Sequence, residues 1–281
     1  MYQSLNFGVI NIRNLSFERA AKLTSMFGFP SMEFISLQEA MELGIEKVTR
    51  ILDENGIFIS NLGLPFHPIR VSNEEYDAAM EKFEEQVAFA QALGVCRSTA
   101  YLSNGGNLPY QENFAFHVSR LKPIAEILAA HNMRFGLEHL GVQANLARFE
   151  HKFILTAEEM LTLCAACGEN VGLLLDCWHW YMSANNYDLF DNIANQNRIV
   201  SVHVNDAPLG VDRATSSDFP RGLPGETGII DIEFFMKGLK KLNYTGPVTP
   251  EPFSNLLTEM TNPYEILSMV KQQMDMIWRH I

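Results

Sequence analysis

Four side chains able to hold a metal ion or move a proton stand at the ends of short apolar runs. They are Glu138 in MRFGLEHL, Asp176 closing VGLLLD, His203 between valines in RIVSVHVND, and Glu251 between prolines in GPVTPEPF. Each alone has an ordinary reading. A carboxylate at a strand end can be an ion-pair partner, and a histidine on an apolar strand can be a hydrogen-bonded core residue. If the runs are neighbouring strands, however, all four polar ends share one rim. Buried charges are costly unless paired or metal-bound, and three carboxylates converging on one pocket repel one another. A divalent cation resolves the repulsion, and hard oxygens with one nitrogen suit Mn²⁺, Mg²⁺, Co²⁺ or Zn²⁺.

The four runs belong to a longer alternation. The strand-like runs are FGVI (Phe7–Ile10), Met32–Ile35, IFISNLGLP, Val95–Leu102, MRFGLEHL, VGLLLD, RIVSVHVND and GPVTPEPF. Helical patterns separate them. Ser16 caps a helix through Met26, with Gly28 and Pro30 as stops, and the next helix spans about Gln38–Glu54 and ends at Gly56. Ser72 and Glu75 form a capping box for a long helix through Leu93. Another helix runs to about His131, and Thr156 opens one with Glu158 and Glu159 in its first turn. The last two span Asp231–Leu242 and Pro263–Trp278. Alternating strand–helix units of roughly 35 residues argue for a parallel sheet. Eight of them, with no linker or composition shift, predict one α/β domain over residues 1–281, a (β/α)₈ TIM barrel. The stretch Ala207–Ile230 shows no obvious element. Loops that long are usually functional, and this one follows the seventh strand, on the face where barrel enzymes keep their active sites.

Composition narrows the function classes. Of 281 residues, 47% are apolar and 19% charged, which excludes collagen, coiled coil and wholesale disorder. Lysine plus arginine is 21 against 33 acidic residues, a net charge of −12. A field of that sign repels phosphate backbones, so no nucleic-acid partner is expected. Cys96, Cys164, Cys167 and Cys177 lie in apolar or helical context, as in a reduced cytoplasmic protein. The segment MYQSLNFGVINIRN lacks the pattern of a secretory signal, and no apolar run reaches the ~18 residues of a membrane span. A cytoplasmic, membrane-free protein is therefore expected. No GxGxxG follows the first strand, no GxxxxGK[ST] occurs, and the stretch Asn104–Asn107 matches neither, so a nucleotide cofactor is unsupported.

Five motifs carry a family resemblance. LEHL, LLLDCWH, VHVND, PGETG and VTPEPF occur in the order seen in the xylose-isomerase-like barrels. These include the ketose 3-epimerases, hydroxypyruvate isomerase, the inositol-pathway isomerases and dehydratases and, more distantly, endonuclease IV. The sequence resembles this superfamily over essentially its whole length, most strongly from Gly136 to Phe253. The resemblance implies that Glu138, Asp176, His203 and Glu251 ligate one divalent metal ion. It implies that Glu138 and Glu251 double as an acid–base pair on opposite faces of the substrate. His179, three residues after Asp176, is similar to the family's substrate-hydroxyl ligand. Arg221, just before the PGETG turn, is similar to the arginine that contacts substrate oxygens. The implied protein is a homo-dimer or homo-tetramer acting on a small ketose, polyol ketone or keto acid as an isomerase or epimerase. Removal of a proton next to a carbonyl suits these residue types, because a cation polarises the carbonyl and positioned carboxylates take and return the proton. The same abstraction followed by loss of hydroxide gives the alternative of an inosose-type dehydratase, and a non-catalytic barrel is the alternative outside enzymes. Two departures matter. The sugar epimerases carry a second glutamate six residues after the strand-five glutamate, where this chain has Ala144, which argues against a free-ketohexose 3-epimerase. The HxxD of His203 and Asp206 resembles the nuclease branch, but eight histidines are few for three zinc ions.

Other residues carry two readings each. His67, in LPFHPIR, follows the third strand and faces the same rim, either as a substrate contact or as a plain loop histidine. Asp206 can orient His203, cap the long loop or touch a second metal, and Glu226 holds the PGETG turn. Arg213 is a weaker competitor to Arg221. Cys164 and Cys167 form a CxxC in a helical pattern with no second pair, which fits neither a structural zinc site nor a redox motif. Trp178, Trp180 and Tyr181 either wall the pocket or pack between barrel and helices.

Overall fold

The computed structural model describes residues 1–183 and 186–281. The chain alternates strand and helix from end to end. Its first half runs β1 (Tyr2–Leu5), α1 (Phe17–Met26), β2 (Ser31–Met32), α2 (Leu37–Leu43), α3 (Ile45–Asn55), β3 (Phe58–Ile59), β4 (Leu62–Gly63), α4 (Asn73–Ala92), β5 (Arg97–Leu102), β6 (Gly105–Gly106) and α5 (Tyr110–Ala130). The second half runs β7 (Arg134–His139), β8 (His151–Lys152), α6 (Ala157–Cys167), β9 (Val171–Asp176), α7 (Cys177–Ser183), α8 (Leu189–Ile193), β10 (Ile199–Val204), α9 (Ile232–Lys241), β11 (Pro247–Pro250), α10 (Asn255–Glu259) and α11 (Pro263–Trp278). Nine strands form one parallel sheet in the order β3-β2-β1-β11-β10-β9-β7-β5-β4. Its two ends, β3 and β4, are consecutive in the chain and separated only by Ser60 and Asn61. One interrupted strand therefore closes the ring. Its first half pairs with β2 and its second half with β5, which gives the eight strand positions of a (β/α)₈ barrel.

Local chemistry explains most boundaries. Ser16 accepts from the Arg19 amide and starts α1, and complete capping boxes open α4 at Ser72 and Glu75 and α6 at Thr156 and Glu159. Helix α11 begins with Pro263 behind the Asn262 cap, where a missing N–H costs nothing. The helices bury apolar faces against the sheet, and Phe17, Phe83, Phe135, Phe153, Phe235 and Trp178 are fully covered.

Several sequence expectations are corrected. FGVI is not the first strand. Phe7 and Ile10 are buried, but the segment folds into a turn, with the Ile12 amide on the Phe7 carbonyl at 3.0 Å and Asn11 at φ 61°. The strand is the preceding YQSL, whose buried Gln3 and Ser4 hide an apolar signal. The second strand is two residues, Ser31–Met32, rather than Met32–Ile35. The helix read over Gln38–Glu54 is two helices, broken at Gly44, which adopts φ 79°, a conformation that glycine takes without steric cost. The single run IFISNLGLP is β3 and β4. The helices α7, α8 and α10 were not anticipated, and the polar stretch Asn104–Asn107 contributes β6, which pairs antiparallel with β8 on the rim.

Candidate active site

Strand alternation sets the site. Residues two apart share a face, so Gly136 and Glu138 of β7 point one way, as do Gly172, Leu174 and Asp176 of β9. The register places His203 of β10 opposite Asp176 of β9 and opposite Thr249 of β11. Glu251 follows the end of β11, its amide bonded to the Val204 carbonyl at 2.9 Å. One ligand atom from each of Glu138, Asp176, His203 and Glu251 lies within 4.8 Å of the others, at the C-terminal mouth of the barrel. The four side chains expected to meet do meet.

The donor atoms fit a cation. His203 Nδ1 lies 3.4 Å from Glu138 Oε1 and 3.3 Å from Glu251 Oε1. Glu138 Oε1 and His203 Nδ1 are nonetheless buried without a hydrogen-bond partner, an arrangement that calls for a further group between them. Burial pushes the Glu138 carboxyl up to about 8. Burial also opposes ionisation of His203 and Glu251, but their attraction wins. Glu251 and Glu138 hold the imidazole well above the usual histidine range, and His203 and Arg221 hold Glu251 below the usual carboxylate range.

Arg221 is part of this centre. It is 3% exposed, and its Nη1 donates to Asp176 Oδ2 at 2.8 Å and to Glu251 Oε2 at 2.6 Å. Its Nη2 donates to Asp218 Oδ1 at 3.0 Å. Trp178, Phe219 and Phe253 stack their rings around its guanidinium, each 5.3–5.7 Å away. Asp176 accepts the Trp178 amide at 2.8 Å and the Asn205 side-chain amide at 2.9 Å on its other oxygen, so three bonds fix the carboxylate and Oδ2 keeps acceptor capacity toward the cluster. His179 is fully buried on α7. Its Nδ1 accepts the Gly141 amide at 3.2 Å, and its Nε2 faces Arg221 Nη2 at 3.3 Å. Burial and the nearby Arg221 hold its pKa well below the ordinary value, which favours a neutral ring with one donor and one acceptor nitrogen. Gly141 is required here, because a Cβ would sit on the His179 carbonyl.

The remaining candidates are placed as follows. His67 lines the mouth, but its Nδ1 is occupied by the Ile69 and Arg70 amides, both at 3.3 Å. Burial, then Arg70, lowers its pKa to about 4. Asp206 caps the long loop. Its carboxylate accepts four backbone amides, from Ala207, Thr227, Gly228 and Ile230, at 2.7–2.9 Å. Glu226 accepts the Leu223 amide within its own turn at 2.7 Å. Arg213 bonds the Tyr181 carbonyl on the outside of the mouth. Cys164 and Cys167 are buried on α6, where burial pushes the Cys167 thiol up to about 12 and the Cys164 thiol higher still. Trp178 packs beneath Arg221, and Trp180 stacks on Phe234 between barrel and helices.

Three contributors were not anticipated. Glu33, just past β2, is 8% exposed and lines the mouth. Its oxygens accept from Asn6 Nδ2 at 3.0 Å and Thr249 Oγ1 at 3.2 Å, and burial raises its pKa. Asn205 positions Asp176, and Asp218 anchors Arg221. Asn205 sits inside the VHVND motif, which was the available signal; Glu33 and Asp218 had none. Two cavities, of about 440 and 390 Å³, meet at the cluster and share Tyr101, Glu138 and Glu251, dimensions suited to a small ligand.

A barrel with a carboxylate–histidine cluster and a buried arginine at its C-terminal mouth defines a class. The chain belongs to the xylose isomerase-like TIM barrel family, whose model matches residues 20–273. Similar solved structures share the fold end to end. A xylose isomerase domain protein from Alicyclobacillus acidocaldarius is 23% identical with a TM-score of 0.85, covering 100% of this chain and 99% of that one. The IolI protein, solved with a bound zinc atom, is 18% identical with a TM-score of 0.83, covering 100% and 99%. D-psicose 3-epimerase from Clostridium cellulolyticum H10, solved with D-tagatose, is 14% identical with a TM-score of 0.75, covering 99% of each chain. No curated protein matches the chain by sequence.

Proposed function

We propose that the protein is a divalent-metal-dependent isomerase or epimerase of a small ketose, polyol ketone or keto acid. The observation that carries this reading is the cluster of Glu138, Asp176, His203 and Glu251 within 4.8 Å, with buried, unpartnered donor atoms facing one another. These four side chains would hold the cation. When bound, it supplies charge that polarises a carbonyl and acidifies the neighbouring C–H. Both glutamates line both cavities, so one carboxylate removes the proton and the other returns it, to the opposite face or the neighbouring carbon. Arg221 neutralises part of the carboxylate charge and fixes Asp176 and Glu251 in place. His179, which lines the smaller cavity, meets a substrate oxygen. Trp178, Phe219 and Phe253 cover the arginine and limit water at the mouth. The bound zinc of the IolI protein and the D-tagatose of the epimerase structure support the same assignment of ion and substrate class. Loss of hydroxide after proton removal would make the enzyme a dehydratase. A ketose panel incubated in D₂O with each of Mn²⁺, Mg²⁺, Co²⁺ and Zn²⁺ tests the proposal. Metal-dependent deuterium uptake beside the carbonyl is expected, and its absence from every combination would overturn the reading.

A further inference from the structure

The two cavities that meet at the cluster differ in charge. The larger, beside β1 to β4, is lined by Asn6, Glu33 and His67 and by no lysine or arginine. The smaller is walled by Arg70, Arg148 and Arg221. Arg221 is committed to Asp176, Glu251 and Asp218. Arg70 and Arg148 make no ion pair among the described residues. Neutral groups hold the Arg70 guanidinium, the Tyr101 hydroxyl at 3.3 Å and Ser103 Oγ at 2.9 Å, and it lies 5.1 Å from the centre of the Tyr101 ring. Tyr101 stands opposite Glu138 in the β5–β7 register and borders both cavities. Arg148 closes the 3₁₀ turn Gln143–Arg148 that follows β7. Thus two guanidinium groups from different loops, both without an acidic partner, line one cavity in a chain whose acidic residues outnumber its basic ones 33 to 21.

We propose that the cavity walled by Arg70 and Arg148 is a subsite for a terminal oxyanion, carboxylate or phosphate, on a substrate whose carbonyl end lies at the cluster. The proposal rests on the isomerase reading for the carbonyl end only. Planar guanidinium groups match the two-oxygen edge of a carboxylate or phosphate. The opposite cavity reinforces the polarity. Glu33, fixed by Asn6 and Thr249, places a carboxylate there, so an anionic end is repelled from that side and a hydroxylated end meets Asn6 and His67. The mouth therefore orients a substrate that is charged at one end and polyhydroxylated at the other.

Binding of a matched series separates the possibilities. D-Fructose, D-fructuronate and D-fructose 6-phosphate share a ketone and differ at the far carbon, and their affinities for the metal-loaded protein are read by titration calorimetry. At least one charged member binds tenfold or more tighter than D-fructose, and the one that gains more identifies the oxyanion. The advantage shrinks with added salt. It disappears in the double variant Arg70→Gln, Arg148→Gln and is partly kept by the corresponding double lysine variant. Equal affinity across the series, no binding of any member, or an advantage that survives the glutamine pair overturns the subsite. The readout needs no turnover. Failure of the isomerase reading alone shows as missing deuterium uptake with the charged-probe advantage intact.

Discussion

Glu251 turns one oxygen toward His203 and the other toward Arg221, so two neighbours fix it while its edge still borders both cavities. Glu251→Gln preserves size and one acceptor but cannot carry a proton between carbon and solvent. It is expected to keep the fold, by circular dichroism, and to slow deuterium uptake into a ketose substrate by about 10²-fold or more. Arg221→Met has a different consequence. It leaves Asp176 and Glu251 buried without their guanidinium, and removing one partner of a buried charge pair costs about 3–5 kcal/mol. A lowered urea midpoint, partly recovered on adding divalent cation, is the expected result; an unchanged midpoint with cation chelated would show that the guanidinium does not stabilise the two carboxylates. At this scale the sequence was readable where chemistry stands at strand ends. Glu138, Asp176 and His203 each close an apolar run, and Glu251 follows one. It was unreadable where the chain merely passes the mouth. Glu33 is one of 33 acidic residues, and only the β1–β2–β11 adjacency brings Asn6 and Thr249 to it.

The element that most needs its shape is the long connection from β10 to α9. Its feet are held by the Asp206–Gly222 bridge and by the Asp206 carboxylate on amides 227, 228 and 230. Asp206→Ala removes the acceptor from four buried or half-buried amides. Each loses a charge-assisted bond, so the connection should be cleaved at least tenfold faster in limited proteolysis. Equal cleavage rates would show that the carboxylate does not hold it. Gly141→Ala should act at the junction of β7 and α7, because the added methyl displaces the His179 carbonyl; KM is expected to rise severalfold with little change in the far-ultraviolet spectrum. Elements with strong local signals were legible at their residues, as with β9 at VGLLLD and α11 from Pro263 to Trp278. The errors fall where tertiary context overrides pattern. Gln3 and Ser4 can stand in a buried strand because each finds a polar partner, Ser4 Oγ on Ser60 Oγ at 2.7 Å inside the barrel and Gln3 Nε2 on Asp275 Oδ1 of α11 at 3.0 Å. The closing strand breaks at Ser60 and Asn61 because its two halves serve different neighbours, with Asn61 Nδ2 donating to Thr99 Oγ1 at 2.7 Å.

For the molecule as a whole, stability should track two solution variables. His117 and His139 are buried, and burial lowers each pKa to about 4. An unfolded histidine takes up its proton near 6.5, so between about 6.5 and 4 the unfolded chain binds more protons than the native one. Their contribution is complete above pH 6.5 and is lost as the pH falls toward 4, at a slope on the order of 1 kcal/mol per pH unit for each ring. Glu138 and His203, raised above their ordinary ranges, contribute with the opposite sign, so the check is urea unfolding of His117→Gln and His139→Gln beside the parent protein at pH 7.5, 6 and 5; a pH slope unchanged by the substitutions would show that the rings do not stay neutral. Bound divalent cation should add about 2.7 kcal/mol at a hundredfold excess over Kd, visible as a lower Tm after chelation. The double tie at Asp206 has an engineering consequence. Arg221 and the turn after it are secured independently of the intervening tip, where Leu209 is 83% exposed and Gly210 turns at φ 81°. Residues 208–216 are therefore an exchangeable cassette. New specificities can be grafted at that position while the ion-holding floor of the barrel is left as it stands.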